Sequence, residues 1–244
     1  MILYIFLILL LSWYFKVFFL YRYSWKSILP SENTNNTDFI SVIVACRNEE
    51  NNILNIIEDV KNQNFNKQRF EMIVVNDHSE DSTLLILEKA AKSWENLKIF
   101  CMNQEEQGKK NAIKKGISFA SGSVILCTDA DCRVGKNWIK TIANYFADKS
   151  VKLLSAPVEF HNKKGIFQKV QALEFLSLIG SGAAAINRGK GIFCNGANLA
   201  YRKSIFLEVN SYDSNSAVSG DDVFLMHHVK VKYPSGIRFV KDRE

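Results

Sequence analysis

The chain has 244 residues, 47% hydrophobic and 23% charged, which is enough apolar content for one sizeable core and too much for a disordered segment. A net charge of +6 and a pI near 9.0 admit anionic partners, but no nucleic-acid-binding motif or long basic block interleaved with aromatics accompanies the charge, which argues against a DNA or RNA reader. Five scattered cysteines without a Cys-x-x-Cys pair offer no zinc or redox site and read as small buried side chains in a reduced compartment.

Residues Met1 to Tyr21, MILYIFLILLLSWYFKVFFLY, are almost wholly apolar. About 20 helical residues cover the roughly 30 Å hydrocarbon layer, so the segment reads as a single-pass anchor over 1–23. It lacks the basic start and small-residue cleavage site of a signal peptide. Lys16, Arg22 and Lys26 all flank its C-terminal side, and the positive-inside rule then puts the bulk of the chain in the cytoplasm, at the plasma or inner membrane. The polar, turn-rich stretch that follows, PSENTNNTD at its core, is expected to be a linker over 24–38.

From residue 39 onward, short apolar runs alternate with amphipathic ones. ISVIVAC (40–46), EMIVV (71–75), LKIFC (97–101), SVILCT (123–128) and VKLLSAPV (151–158) predict strands, and the first four are continuous apolar stretches suited to a sheet buried on both faces. ENNILNIIEDVKNQ, DSTLLILEKAAKSW, GKKNAIKKGISFAS and GKNWIKTIANYFAD predict the intervening helices. The order implies an α/β domain with a mostly parallel central sheet flanked by helices, in which ligands gather beyond the carboxyl ends of the strands. Residues 165–185 predict a further apolar helix, either plainly buried or set near the membrane surface.

The polar groups that follow the strands are therefore the candidates. Asp77 ends the second strand as a ligand acceptor, while Ser79, Asp81 and Ser82 are placed to cap the next helix. Gly108, Lys109 and Lys110 open a helix whose free N–H groups favour an anion, and Lys109 or Lys110 is placed to meet a phosphate. In TDADC, Asp129 and Asp131 are one residue apart, which in extended backbone points two hard carboxylates to one side, as a divalent cation requires. Asp221 and Asp222 start an apolar helix, where they either cap it or serve as a general base; His227 and His228 read as structural. No G-x-G-x-x-G and no G-x-x-x-x-G-K-[ST] occurs, which argues against dinucleotide and P-loop folds.

Taken in order, VIVACRNEE, EMIVVNDHSEDST, GKKNAIKKG, TDADC, CNGANLAYRK and SGDDVFLMHH resemble the family 2 glycosyltransferases, whose fold is called GT-A. The resemblance spans roughly residues 40 to 230. It implies that Ala45, Arg47 and Glu49 contact the nucleoside of a nucleotide-sugar donor, that Asp77 recognises the base, and that Lys109 and Asp129 lie on the donor. It further implies that Asp129 and Asp131 bind Mg²⁺ or Mn²⁺, that Asp222, beside Asp221, is the base of an inverting transfer, and that Asn195, Gly196 and Asn198 line the side of a glycan or lipid-linked acceptor. UDP-sugars are the family's commonest donors. The Gln-x-x-Arg-Trp motif of processive synthases does not occur, so a domain over 39–244 truncated at its C-terminus is expected. Two other readings compete: a nucleotide-sugar-binding domain without catalysis, and an aspartyl-nucleophile phosphotransferase, whose D-x-D would follow the first strand rather than the fourth.

Overall fold

The computed structural model describes residues 1–32, 36–160, 165–210 and 221–242. Helix α1, Ile2–Ser27, has its side chains exposed from Met1 to Leu20, and Ser24 is its one buried residue. At 26 residues it is about 39 Å long, more than a bilayer core requires. The helix outlasts the expected anchor because its end is bonded to the domain. Ser24 Oγ donates to Ala184 O (2.7 Å), and Asn187 Nδ2 donates to Ser24 O (3.0 Å) and Ser27 Oγ (2.9 Å).

The stretch expected as a linker is likewise docked where it is described. Ile28 is buried, Lys241 Nζ donates to Trp25 O (2.7 Å), Asp242 Oδ2 accepts from Ser31 N (3.1 Å), and buried Asn36 donates to Ala143 O (2.6 Å). Polar, turn-forming residues look the same in a sequence whether their hydrogen bonds go to water or to a distant element.

Among the described residues the sheet has seven strands in the order β3-β2-β1-β4-β6-β5-β7. They are β1 Ile40–Cys46, β2 Phe70–Asn76, β3 Leu97–Cys101, β4 Val124–Asp129, β5 Leu153–Ser155, β6 Asn198–Arg202 and β7 Ile237–Phe239. Only β6 runs against its neighbours. The first four strands form where the apolar runs predict them. β5 is shorter than its run, and β6 and β7 are short strands that no apolar stretch announces.

Alternate strand residues separate two cores. Val42, Val44, Met72, Val74 and Leu126 face α2 (Ile53–Lys61), α3 (Thr83–Lys92) and α5 (Trp138–Phe146). Ile43, Ile73, Val75, Ile125 and Cys127 face α4 (Lys109–Phe119), α6 (Ile166–Asn187), α7 (Lys203–Asn210) and α8 (Asp221–Lys232). The cysteines on the strands behave as packing groups: burial pushes the Cys46 thiol up to about 12 and Cys127 to about 11.

Two features set the sheet's geometry. At the edge away from the strand ends, Glu71 is 3% exposed, and its carboxylate accepts from Ser41 Oγ, Ser121 N and Lys98 Nζ, each at 2.6 Å. Burial alone would raise this carboxyl, but Lys98, Ser41 and Ser121 hold it below its ordinary value. On the α4 face, a Cβ at Gly116 would lie 2.8 Å from Ile43 Cγ2 and 3.3 Å from Val75 Cγ2, so the helix sits closer to β1 and β2 than any side chain allows.

Gly116→Ala is therefore expected to cost about 1–3 kcal/mol by overpacking, measured by urea unfolding. Glu71→Gln is expected to cost about 2 kcal/mol at neutral pH, since hydrogen bonds to a charged group are lost. Because the folded carboxyl titrates below 4.5, its contribution is present above that pH and disappears as pH falls through the folded value. Unfolding free energies of the two proteins should accordingly converge in acid.

Candidate donor and acceptor site

Three strand ends build one side of the site. β1 lies between β2 and β4, and its Ala45 is in register with Val75 on one side and Asp129 on the other. The loop leaving β1 is laced to the loop leaving β2. Asn48 N donates to Ser79 Oγ (3.0 Å), Glu80 N to Asn48 Oδ1 (2.8 Å), Glu49 N to Thr83 Oγ1 (2.8 Å) and Glu50 N to Asp81 Oδ2 (3.1 Å). Asp81 also accepts from Thr83 N at the start of α3 (3.0 Å), so it caps as expected. Ser79 braces the neighbouring loop instead, and Ser82 makes no side-chain cap. Arg47 is exposed at the mouth of this pair of loops.

Asp77 is buried just beyond β2, and its backbone N–H donates to Cys46 O. One carboxylate oxygen meets His78 Nδ1 at 2.9 Å and the other accepts from Gly108 N at 2.9 Å. Gly108 has φ +95, a conformation side chains rarely adopt, and it starts α4. The next residue, Lys109, places Nζ 2.6 Å from Asp129 Oδ1 at the end of β4. The first turn of α4 thus joins Asp77 to Asp129 through two consecutive residues. His78 itself sits at φ +55, and its Nε2 is buried without a partner. No motif marks a role for this histidine, because its left-handed backbone turns the ring back onto the preceding aspartate.

Asp129 is 30% exposed and Asp131 is exposed in the turn that follows. That turn is pinned from behind: Arg133 donates two hydrogen bonds to Asp59 on α2 (2.7 and 2.9 Å), and Val134 N donates to the same carboxylate (3.1 Å). This fork pairs residues far apart in the chain, so no local pattern marks it. Asp129 and Asp131 are the residues that could hold a divalent cation. Both are hard oxygen donors, and a lysine ammonium already engages Asp129. Among the described residues no three His, Cys, Asp or Glu gather into a metal cage, so a cation here would complete its shell from ligand oxygens and water, as Mg²⁺ commonly does.

The second half of the site comes from the antiparallel part of the sheet. The loop before β6 carries Asn195 and Gly196, and α8 begins beside it. Asp222 Oδ2 accepts from Gly196 N (2.9 Å), Oδ1 accepts from Val223 N (2.9 Å), and Cys194 Sγ donates to Asp222 O (3.2 Å). A Cβ at Gly196 would lie 3.2 Å from Asp222 Oδ2, so glycine is what lets the loop approach this carboxylate. Asp222 therefore takes a free N–H in the first turn of its own helix and faces the loop at once. The side chain of Asp221 lies outside the described residues. Asn195 Oδ1 accepts from Ala197 N, which shapes the loop. Asn198 is turned inward: its Oδ1 accepts from Trp138 Nε1 (3.0 Å) and its Nδ2 donates to Pro157 O (2.9 Å). Both ends of that amide hold the sheet to α5 and to the segment after β5. Glu208 on α7 meets His228 Nε2 (2.9 Å) and Lys232 Nζ (2.7 Å) on α8, the structural role expected of that histidine.

These hydrogen bonds separate two aspects of Asp222. Asp222→Ala leaves the Gly196 and Val223 N–H groups without their acceptor and is expected to cost about 1–2 kcal/mol. Asp222→Asn keeps one oxygen for this purpose and is expected to unfold within about 1 kcal/mol of the parent chain in denaturant.

Comparison with known proteins gives the arrangement a context. The family model for glycosyl transferase family 2 matches residues 41–209. The poly-beta-1,6-N-acetyl-D-glucosamine synthase of Staphylococcus aureus is 30% identical over 193 residues, 76% of this chain and 45% of the synthase. The chain thus spans about half the length of that curated relative. Among solved structures, the mannosyltransferase PcManGT from Pyrobaculum calidifontis, in complex with GDP-Man and Mn²⁺, has a TM-score of 0.71 at 18% identity, covering 97% of this chain and 65% of that one. Staphylococcus aureus TarS 1–349, in complex with UDP-GlcNAc, has a TM-score of 0.60 at 22% identity, covering 84% and 56%. At these identities the likeness is one of fold, and the fold is GT-A.

Proposed function

This chain belongs to glycosyl transferase family 2, and from that premise we propose that it is a membrane-anchored, metal-dependent, inverting glycosyltransferase. It moves a sugar from a nucleotide-diphosphate-sugar, a UDP-sugar in the first instance, to a hydroxyl of a glycan or lipid-linked acceptor. The observation that carries the reading is the first turn of α4, where Gly108 and Lys109 tie Asp77 and Asp129 into one unit at the carboxyl ends of parallel strands. That is where α/β sheets hold ligands. The solved relatives with GDP-Man and Mn²⁺, or with UDP-GlcNAc, support a nucleotide sugar and a divalent metal here.

In this reading the nucleoside lies against Ala45, Arg47 and Glu49, and Asp77 accepts a hydrogen bond from the base. Its two protein partners, His78 and Gly108 N, fix the carboxylate so that it is already aimed when the donor arrives. Asp129 and Asp131 would hold Mg²⁺ or Mn²⁺, which when bound would supply charge stabilisation for the leaving diphosphate. Lys109, beside Asp129 at the start of α4, would be placed to meet the diphosphate. The Arg133–Asp59 fork holds the Asp129–Asp131 turn in place.

On the acceptor side, Asn195 and Gly196 shape the surface on which the nucleophilic hydroxyl rests, and the inward-facing amide of Asn198 positions that loop. Asp222 receives the hydroxyl proton as the oxygen attacks the anomeric carbon from the face opposite the leaving group. The Gly196 N–H on Oδ2 and the Val223 N–H on Oδ1 each leave lone pairs for this proton. Asp221 joins it as the second acidic residue of the pair. We take α1 as the membrane span, with the transferase domain from residue 39 onward on the cytoplasmic side of the plasma or inner membrane, where the positive flank places it.

Asp222→Asn is expected to lower kcat by at least about 100-fold while nucleotide-sugar affinity stays within a factor of two or so, as removal of a general base requires. Near-parental turnover would refute the base assignment. Chelation is expected to abolish transfer and added Mn²⁺ or Mg²⁺ to restore it, and isothermal titration of the donor should show affinity falling in the same samples. Transfer that is indifferent to chelator would remove the metal from the scheme.

A further inference from the structure

Helix α6 is largely apolar, with Lys169 and Glu174 as its charged residues, and among the described residues protein covers only one side of it. Ala172, Ile179, Ala183 and Ile186 are buried, and the last three belong to the core beneath the sheet. Along the opposite side, Ile166 is 83% exposed, Val170 58%, Leu173 68% and Leu176 53%. An apolar helix of 22 residues, about 33 Å long, does not ordinarily leave such a face to water. Its inner face is fixed to the domain core, so it cannot itself cross a bilayer.

The position of α6 identifies what covers the outer face. Its last turn is bonded to the last turn of α1 through Ser24, Ser27, Ala184 and Asn187. A span that begins near Ile2 leaves the hydrocarbon about 20 residues later, which sets Ser24 and Ser27 at headgroup level. The last turn of α6, bonded to those serines, lies at the same level. Arg22, Lys26, Arg188 and Lys190 flank the joint and are all exposed, a positive rim suited to anionic headgroups. Polar bonds at the joint, a basic rim and an uncovered apolar face together describe a helix lying in the interface.

We propose that the outer face of α6, through Ile166, Val170, Leu173 and Leu176, is buried in the headgroup and upper acyl layer of an anionic bilayer, so that the domain is seated on the membrane as well as anchored to it. This rests on α1 being the membrane span. It gives the catalytic domain a fixed height and tilt at the surface, which a single helix on a free linker would not.

Nitroxide labelling of the full chain in nanodiscs of zwitterionic and anionic lipid tests this. Cys101→Ser with Cys132→Ser removes the two cysteines that are not buried. Single labels are then placed by Leu173→Cys, by Val170→Cys and, in the anchor, by Leu10→Cys. The expected result is that molecular oxygen collides with labels at 173 and 170 several-fold more often than a water-soluble nickel chelate does, as it does at 10. Nickel access at 173 and 170 typical of an aqueous surface, with position 10 still in lipid, overturns the seating of α6 and leaves the anchor standing. Shielding of 173 and 170 from both reagents overturns it too, since the face is then covered by protein. Nickel access at position 10 removes the anchor and the proposal together.

Discussion

The geometry of this domain depends on one short contact, the first turn of α4 set between two aspartates. Gly108 gives its N–H to Asp77 and Lys109 gives its ammonium to Asp129, so residues that end β2 and β4 are held at one spacing across β1. The contact forms because α4 lies unusually close to β1 and β2 at Gly116, and because Gly108 adopts a left-handed backbone that turns the helix start toward Asp77. A helix displaced by even one methyl group would not present both residues. Packing in the middle of α4 and electrostatics at its end are therefore one constraint.

A second constraint acts from the other edge. The Glu71 network joins β1, β2 and β3 to the turn before β4, through a charged group nearly sealed from water. Asp38 does similar work just before β1: burial alone would raise its carboxyl, and Lys149 and Arg202 together hold it low. Both are stitches at the amino ends of the central strands, so the carboxyl ends are free to carry ligand groups without also holding the sheet. On the antiparallel side the same division appears within one motif. Gly196 faces Asp222, while Asn198, two residues later, spends its amide on Trp138 and Pro157.

The N-terminal helix follows the same logic of contacts between distant segments. Serines at the end of α1 are unremarkable in the sequence, but they are the acceptors and donors that fix α1 to α6. Helix α1 and the α/β domain are thereby joined, and the exposed side of α6 lies next to that joint.

The four central strands, the four helices packed around them and the apolar N-terminal helix were determined by the sequence alone, because runs and periodicities of apolar residues are local properties. The candidate residues Asp77, Lys109, Asp129 and Asp222 were legible there as short motifs in a recognisable order. Only the tertiary structure decided β6 and β7, which are strands because neighbours pair with them. It also decided the docking of residues 24–32 and the inward turn of Asn198. The Arg133–Asp59 fork and the Asp77–His78 contact were likewise beyond the sequence. Each of these depends on where a polar group finds its partner, and a hydrogen bond between residues far apart in the chain, or one that needs a left-handed backbone, leaves no periodic trace in the order of amino acids.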